Sequence, residues 1–267
     1  MSAEGSIIEE FGQPIPLRVR VPLNIRAQPT RAASLVGRRP AAEMLLADRL
    51  LDAETYLDTS YWYRLHPTGW FVWAGGVERV LPDPPLPQAG TPVRVKRRAD
   101  GTIRPLSDAE LRSLYGPFDF DSNANGSIRI DPAWVAGSIV PFTHPLLAQM
   151  ELNSLKVHRN ALMAFRDVFD AIDAAGKGVA DCLHTCAGTF VPRHIRRDPA
   201  RPLSSHSFGV AIDLNAEWNG YGARPLQAGL HGSVRELVPY FAHAGFAWGG
   251  HFSGSSADGM HFELARY

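Results

Sequence analysis

Two histidines and an aspartate near the end of this 267-residue chain have types and spacings that could do chemistry. His206 and Asp213 lie in Ser204-Ser205-His206-Ser207-Phe208-Gly209-Val210-Ala211-Ile212-Asp213-Leu214, and His261 lies in Asp258-Gly259-Met260-His261-Phe262-Glu263. Two imidazoles and a carboxylate are the donor set of a hydrolytic zinc site, in which three protein ligands leave a fourth position for water. The metal lowers the pKa of that water to about 7. A further carboxylate must then accept its proton and pass it to the leaving amine. Asp258 is the candidate for that task, and Glu263 is read as a group orienting a ligand imidazole. The sequence leaves the exchange of these two roles open.

Strand alternation explains how such residues could meet. In Val210–Leu214 the apolar Val210, Ile212 and Leu214 share one face, and Ala211 and Asp213 share the other. The same period turns His261 and Glu263 together away from the core. His206 precedes Asp213 by an odd number of residues, so an unbroken strand would put it on the wrong side. Gly209 can supply the turn or bulge that returns it.

With Asp258-Gly259-Met260-His261-Phe262-Glu263, the run Ser205-His206-Ser207-Phe208-Gly209-Val210-Ala211-Ile212-Asp213, taken as a shifted form of Ser-x-His-x-x-Gly-x-Ala-x-Asp, resembles the D-alanyl-D-alanine carboxypeptidase and L-alanyl-D-glutamate endopeptidase family of zinc peptidases. That family cuts peptidoglycan stem peptides and shares its fold with lysostaphin-type peptidases and the hedgehog signalling domain. The resemblance spans about residues 108–267. It implies one zinc on His206, Asp213 and His261, Asp258 as general base, and an upstream arginine that polarises the scissile carbonyl, a place Arg193 fits. Ser205 and Glu263 are then supporting groups around the ligands. Many relatives carry a second tryptophan soon after Trp248-Gly249-Gly250, where this chain has His251-Phe252; Trp248 and His251 are the candidate substrate contacts.

Two rival chemistries use the same residues. A serine hydrolase of Ser205, His206 and Asp213 is disfavoured, because adjacent side chains in extended chain point apart and the base could hardly reach its nucleophile. The stronger rival is a non-catalytic, zinc-containing wall-binding module of hedgehog-like fold. Asp258 and Arg193, which a purely structural zinc would not need, favour the enzyme.

Composition bounds the rest. Lys+Arg and Asp+Glu both number 27, so net charge gives no case for nucleic acid or an anionic membrane. The two cysteines, Cys182 and Cys186, are too few for a disulfide framework; with His184 between them they suggest a metal cluster, but two core thiols are the better reading. No run approaches a membrane span. The start lacks a basic n-region and an apolar h-region, so no secretory signal is expected. Action on a wall in the periplasm or outside the cell would then need phage lysis, a specialised secretion route, or a leader removed from this sequence.

The expected architecture is α+β: an antiparallel-sheet zinc peptidase domain over 108–267, preceded by a small all-β SH3-like barrel over 1–80 and joined to it by a proline-rich and basic segment over 81–107. Leu17–Val21, Leu23–Pro29, Tyr61–Leu65 and Gly69–Trp73 read as short strands, and Leu23-Asn24-Ile25-Arg26, Trp62 and Gly69-Trp70-Phe71-Val72 resemble the bacterial SH3 domain, which implies docking on wall peptide. Residues 41–58, rich in leucine, alanine and acids, read as a helical insertion. Asp121-Ser122-Asn123-Ala124-Asn125-Gly126-Ser127-Ile128 matches the start of an EF-hand calcium loop, but Pro132 stands where a glutamate is required and Asp131 falls one place early; a polar turn is the preferred reading. Periodicity predicts one helix over 154–175 and a second opened by the capping box Ser233-Val234-Arg235-Glu236, closed by Gly245 and kinked or broken at Pro239.

Overall fold

The computed structural model of the chain describes residues 5–57, 59–80 and 93–267. Two compact units result, Met1–Asp83 with Leu226–Glu236 and Pro84–Pro225 with Leu237–Tyr267. Both are built on antiparallel pairing, and among the described residues the α-helices lie in the second, giving a mixed α and β protein.

In the first unit seven strands follow one another: β1 (Ser6–Val19), β2 (Leu23–Arg26), β3 (Leu35–Arg39), β4 (Met44–Tyr56), β5 (Thr59–Leu65), β6 (Phe71–Trp73) and β7 (Val77–Arg79). Their order in the sheet is β3-β2-β6-β5-β4-β1-β7. Among the described residues no pairing joins β3 to β7, so the closed form of the expected barrel is not shown. The expected helical insertion is also corrected: residues 44–56 form β4, paired along its length with β1 and β5. Bulges between Ala47 and Arg49 and between Asp52 and Tyr56 interrupt its alternation, so Ala47, Leu50 and Leu51 are buried without a clean period of two. Cross-strand pairing here outweighs the helix propensity of Leu, Ala and Glu. Leu230, from the returning segment 226–236, joins Leu17, Ile25, Leu50, Tyr63 and Val72 in the core.

The second unit contains α1 (Asp108–Tyr115), β8 (Phe120–Ser122), β9 (Ile128–Ile130), α2 (Pro132–Ser138), β10 (Ile139–Phe142), β11 (Leu155–His158), α3 (Leu162–Ala174), α4 (Lys177–Ala180), β12 (Cys186–Gly188), β13 (Ala211–Leu214), α5 (Val238–His243), β14 (Phe246–Trp248) and β15 (His261–Leu264). Residues 93–107 belong to this unit and pair with its C-terminal end through Val95 and Arg266, while residues 81–92 of the expected linker lie outside the described residues. The central sheet runs β12-β13-β15-β14. Phe165 on α3 packs on Phe246 of the sheet, and Phe241 on α5 stacks on Phe262. The helix expected over 154–175 starts later, because Leu155 and Val157 alternate inward on β11 against β10 and the side chain of His158 caps the turn that follows. The second expected helix is likewise shorter. Ser233 and Glu236 close a turn, with Ser233 Oγ donating to Glu236 Oε2 at 2.6 Å, and α5 begins only at Val238. Pro239 therefore starts this helix, in its first turn where no N–H is missed, and does not kink it.

The segment that matches the opening of a calcium loop is the β8–β9 hairpin. Asn125 Oδ1 accepts from Ser127 N and Oγ, Asp121 pairs with Arg129 at 2.7 Å, and Asp131 caps α2 by accepting from Ala133 N. Both cysteines are free thiols. No helix among the described residues is long and apolar enough to cross a membrane.

Candidate metal centre

The site begins with the register of β13 and β15. Asp213 stands opposite His261 and Ala211 opposite Glu263, so all four side chains occupy one face, with Ile212 and Phe262 on the buried other. The small Ala211 side chain lies across from the Glu263 carboxylate. His206 arrives from a tight turn, Ser205–Phe208, that ends on Gly209 in left-handed backbone (φ 68°). A side chain at Gly209 would press on Ile139 Cδ1 at 2.9 Å and His158 N at 3.0 Å, so glycine is required for both conformation and space.

Three donor atoms converge. His206 Nε2 lies 3.2 Å from His261 Nδ1 and 3.1 Å from Asp213 Oδ1, and His261 Nδ1 lies 2.9 Å from Asp213 Oδ1. All three residues are buried. A tetrahedron with bonds of about 2.0–2.1 Å has edges of roughly 3.3 Å, so the three separations match one face of a zinc coordination sphere. The outer partners set the tautomers accordingly. Thr189 O, 3.0 Å from His206 Nδ1, can only accept, so Nδ1 donates and the Nε2 lone pair faces the centre. On His261 the outer Nε2 lies 3.4 Å from Ser205 Oγ and 3.6 Å from Glu263 Oε2, leaving Nδ1 inward. Three inward lone pairs within about 3 Å repel one another unless a cation or proton sits among them.

The electrostatics follow from this crowding. Burial opposes ionisation of Asp213, but hydrogen bonds from His206 and His261 outweigh it and hold the carboxyl well below the usual range. Burial lowers the pKa of His206. In His261 burial works the same way but is overridden by Asp213 and Glu263, which raise the ring to about 10. Burial also pushes Asp258 up, to about 6, and its Oδ1 is buried with no hydrogen-bond partner among the described residues.

Arg193 Nη1 donates to Ser204 Oγ at 2.8 Å, and Nη2 lies 3.7 Å from Asp213 Oδ2. Its backbone is clamped by Ser207, whose hydroxyl accepts from Arg193 N and donates to Arg193 O, each at 2.8 Å. Arg193, Ser205, Asp258, His261 and Glu263 all line one cleft of about 750 Å³. Asp258 is set there by a loop in which Gly249 has room only for hydrogen, since a Cβ would sit 2.4 Å from Asp258 O.

Trp248 and His251 do not line this cleft. Trp248 is buried and donates from Nε1 to Gly259 O at 2.8 Å, which steadies the turn before His261, and His251 packs edge-on against it. Phe252, Tyr221 and Met260 form cleft wall where those residues were expected. Ser204 and Thr189 were missed. The signal for Ser204 was present, because it, not Ser205, stands two positions before His206 as Ser-x-His demands; nothing in the residue type of Thr189 marks a backbone acceptor.

A family model described as D-alanyl-D-alanine carboxypeptidase matches residues 197–264. The match contains His206, Asp213, Asp258, His261 and Glu263, and begins four residues after Arg193. No curated protein and no solved structure matches the chain. The similarity points to a peptidase, and the buried His-Asp-His group could hold a metal ion.

Proposed function

We propose that the chain is a zinc-dependent peptidoglycan peptidase, of carboxypeptidase or endopeptidase type, acting on an amide of the stem peptide or cross-link. The observation that carries this reading is the convergence of His206 Nε2, Asp213 Oδ1 and His261 Nδ1 at one edge of a cleft that also presents Asp258 and Arg193. Zinc, when bound, supplies Lewis acidity toward water and the scissile carbonyl. Asp258, already displaced toward neutral pH by burial, accepts the proton of the attacking water and returns it to the leaving amine. Arg193 remains cationic and is held by Ser204, so its guanidinium is fixed before the carbonyl oxygen gathers charge. Glu263 and Ser205 hold the His261 ring, and Thr189 O holds that of His206.

The first unit is proposed to dock on wall peptide as an SH3-like module. A groove of about 360 Å³ lined by Tyr56, Trp62, Trp73, Arg26 and Arg31 supports that role. The place of action is proposed to be the cell wall, in the periplasm or outside the cell.

Metal content of the full chain, measured by mass spectrometry beside digestion of purified muropeptides, tests the reading. Wild type should hold about one zinc and cut one bond. His206→Ala and His261→Ala should lose the metal, whereas Asp258→Ala should keep it and lose roughly 10²–10⁴-fold in turnover. Full zinc in both histidine variants would remove the ligand assignment, and a zinc-loaded wild type that cuts no muropeptide would leave the non-catalytic module.

A further inference from the structure

We infer that the outer wall of the cleft selects peptides by a carboxylate set apart from the scissile amide, read by Arg196 and Arg197. The inference rests on the peptidase reading and adds a substrate class to it: acidic peptides in preference to their amidated forms.

Formal charges balance over the whole chain, 27 against 27, yet five arginines line this one cleft: Arg98, Arg193, Arg196, Arg197 and Arg201. The acids among its walls do not neutralise them. Asp108 is taken by Arg112 at 2.8 Å, while Glu263 and Asp258 lie at the metal end. Arg193 is committed to Ser204 and Asp213, and Arg201 pairs loosely with Asp198 at 3.4 Å. Among the described residues neither Arg196 nor Arg197 forms an ion pair. The Arg196 guanidinium sits 5.0 Å over the Tyr221 ring, which occupies its face and leaves its edge donors available to a ligand.

The backbone under these two residues is built at a cost. Arg196 and Arg197 have φ of 58° and 54°, successive left-handed conformations that residues other than glycine and asparagine rarely adopt. The β8–β9 hairpin holds them there. His194 N donates to Gly126 O at 2.9 Å, Arg197 N donates to His194 O at 3.0 Å, and a Cβ on Gly126 would lie 1.9 Å from Arg197 O. Strain held by surrounding structure at the rim of a cleft marks a segment whose position matters more than its local stability. Two guanidinium forks placed in this way suit a carboxylate, which accepts paired N–H bonds. Leu106, Leu111, Phe252 and Met260 share the same walls, so the ligand is a compact peptide with aliphatic side chains and not an extended polyanion.

The test compares a stem-type peptide bearing free carboxylates with the same peptide amidated. The zinc-loaded full chain is assayed for turnover, and the metal-free full chain is titrated calorimetrically, so that binding reports even where cleavage does not. Asparagine tolerates left-handed backbone, so Arg196→Asn/Arg197→Asn removes both forks with least disturbance, and circular dichroism melting checks its fold. Wild type should favour the free acid by roughly 10- to 100-fold, the range of one or two charge-assisted hydrogen bonds. In the double variant that preference should fall to within about threefold through KM and Kd, with kcat for the acid nearly unchanged. Equal handling of acid and amide by wild type, or an undiminished preference in the folded variant, overturns the inference. So does tighter binding of inorganic polyphosphate than of the acidic peptide. Absence of cleavage with acid-selective binding would overturn the peptidase reading and leave the carboxylate site standing.

Discussion

At the residue scale, what could be read in advance was donor chemistry, and what could not was the partner of each donor. His206, Asp213 and His261 stand out by type and by strand alternation, because a period of two brings Asp213 and His261 to one face however the rest of the chain packs. Thr189 acts through its carbonyl and Ser204 through a hydroxyl shared with a distant guanidinium, so both depend on which loops meet. Cys186 shows how far burial governs a group beside the site. It lies on β12 opposite Leu214, and burial pushes its thiol up to about 11 despite partial exposure. The thiolate is the reactive form, so at pH 8 only about one thiol in a thousand is primed. Alkylation of Cys186 by iodoacetamide should therefore be slow at pH 7–8 and rise about tenfold per pH unit toward pH 11, provided the fold persists. Peptide mapping by mass spectrometry reads the rate, and fast modification at pH 7.5 would contradict the assigned environment.

Elements were legible where local pattern and tertiary context agree. The alternation of β13 and β15 survives because each strand pairs on both sides within the sheet order β12-β13-β15-β14. Residues 44–56 failed as a sequence reading because bulges scramble the alternation and a helix-rich composition fills the gaps. The strand β11 was hidden inside a helical period, since Leu155 fits either spacing until its partner β10 is known. The β8–β9 turn carries a sharper consequence. Gly126 has φ of 73°, and its Cβ position is filled by the backbone of Arg197, which cannot swing aside as a long side chain could. Gly126→Ala must therefore move the 193–197 loop or open the hairpin. We expect a loss of about 2–3 kcal/mol, from left-handed strain together with the clash. Because Ser127 also bridges to Arg193, activity should fall more than stability alone explains. Chemical denaturation gives the first quantity and kcat the second; a variant with wild-type midpoint and turnover would show that the hairpin does not buttress the cleft.

For the whole molecule, the sequence offers a proline-rich stretch over residues 81–87 as its sign of a division, and no contiguous boundary describes the two compact units. Residues 226–236 return to the first unit, and their local pattern points elsewhere, because Ser233-Val234-Arg235-Glu236 reads as the start of the following helix and two leucines among glycines have no period to betray their destination. Their contribution is concrete. Leu230 is buried in the seven-stranded unit's core, the buried Tyr63 hydroxyl donates to Gly229 O, and Glu236 accepts from Gly229 N. Burial raises the Tyr63 hydroxyl to about 12, so it stays a donor throughout the working pH range. A fragment ending at residue 80 loses all of this. Exposing the site of Leu230 costs about 1.5–3 kcal/mol, and leaving Tyr63 without its acceptor about 1–3 kcal/mol. Against a typical stability of about 5–15 kcal/mol, the fragment should be folded only marginally. Supplying 226–236 again, fused through a flexible linker, should restore several kcal/mol by thermal or urea denaturation, and the same fusion with Leu230→Ala should recover much less. A fragment of residues 1–80 as stable as the fusion would show that the returning segment is dispensable. Truncation is for the same reason a poor way to assign docking to this unit, since removing residues 1–80 strips Leu230 of its core; point substitutions at Arg26 and Arg31 in the groove of the intact chain, read by sedimentation with cell walls, separate docking from folding.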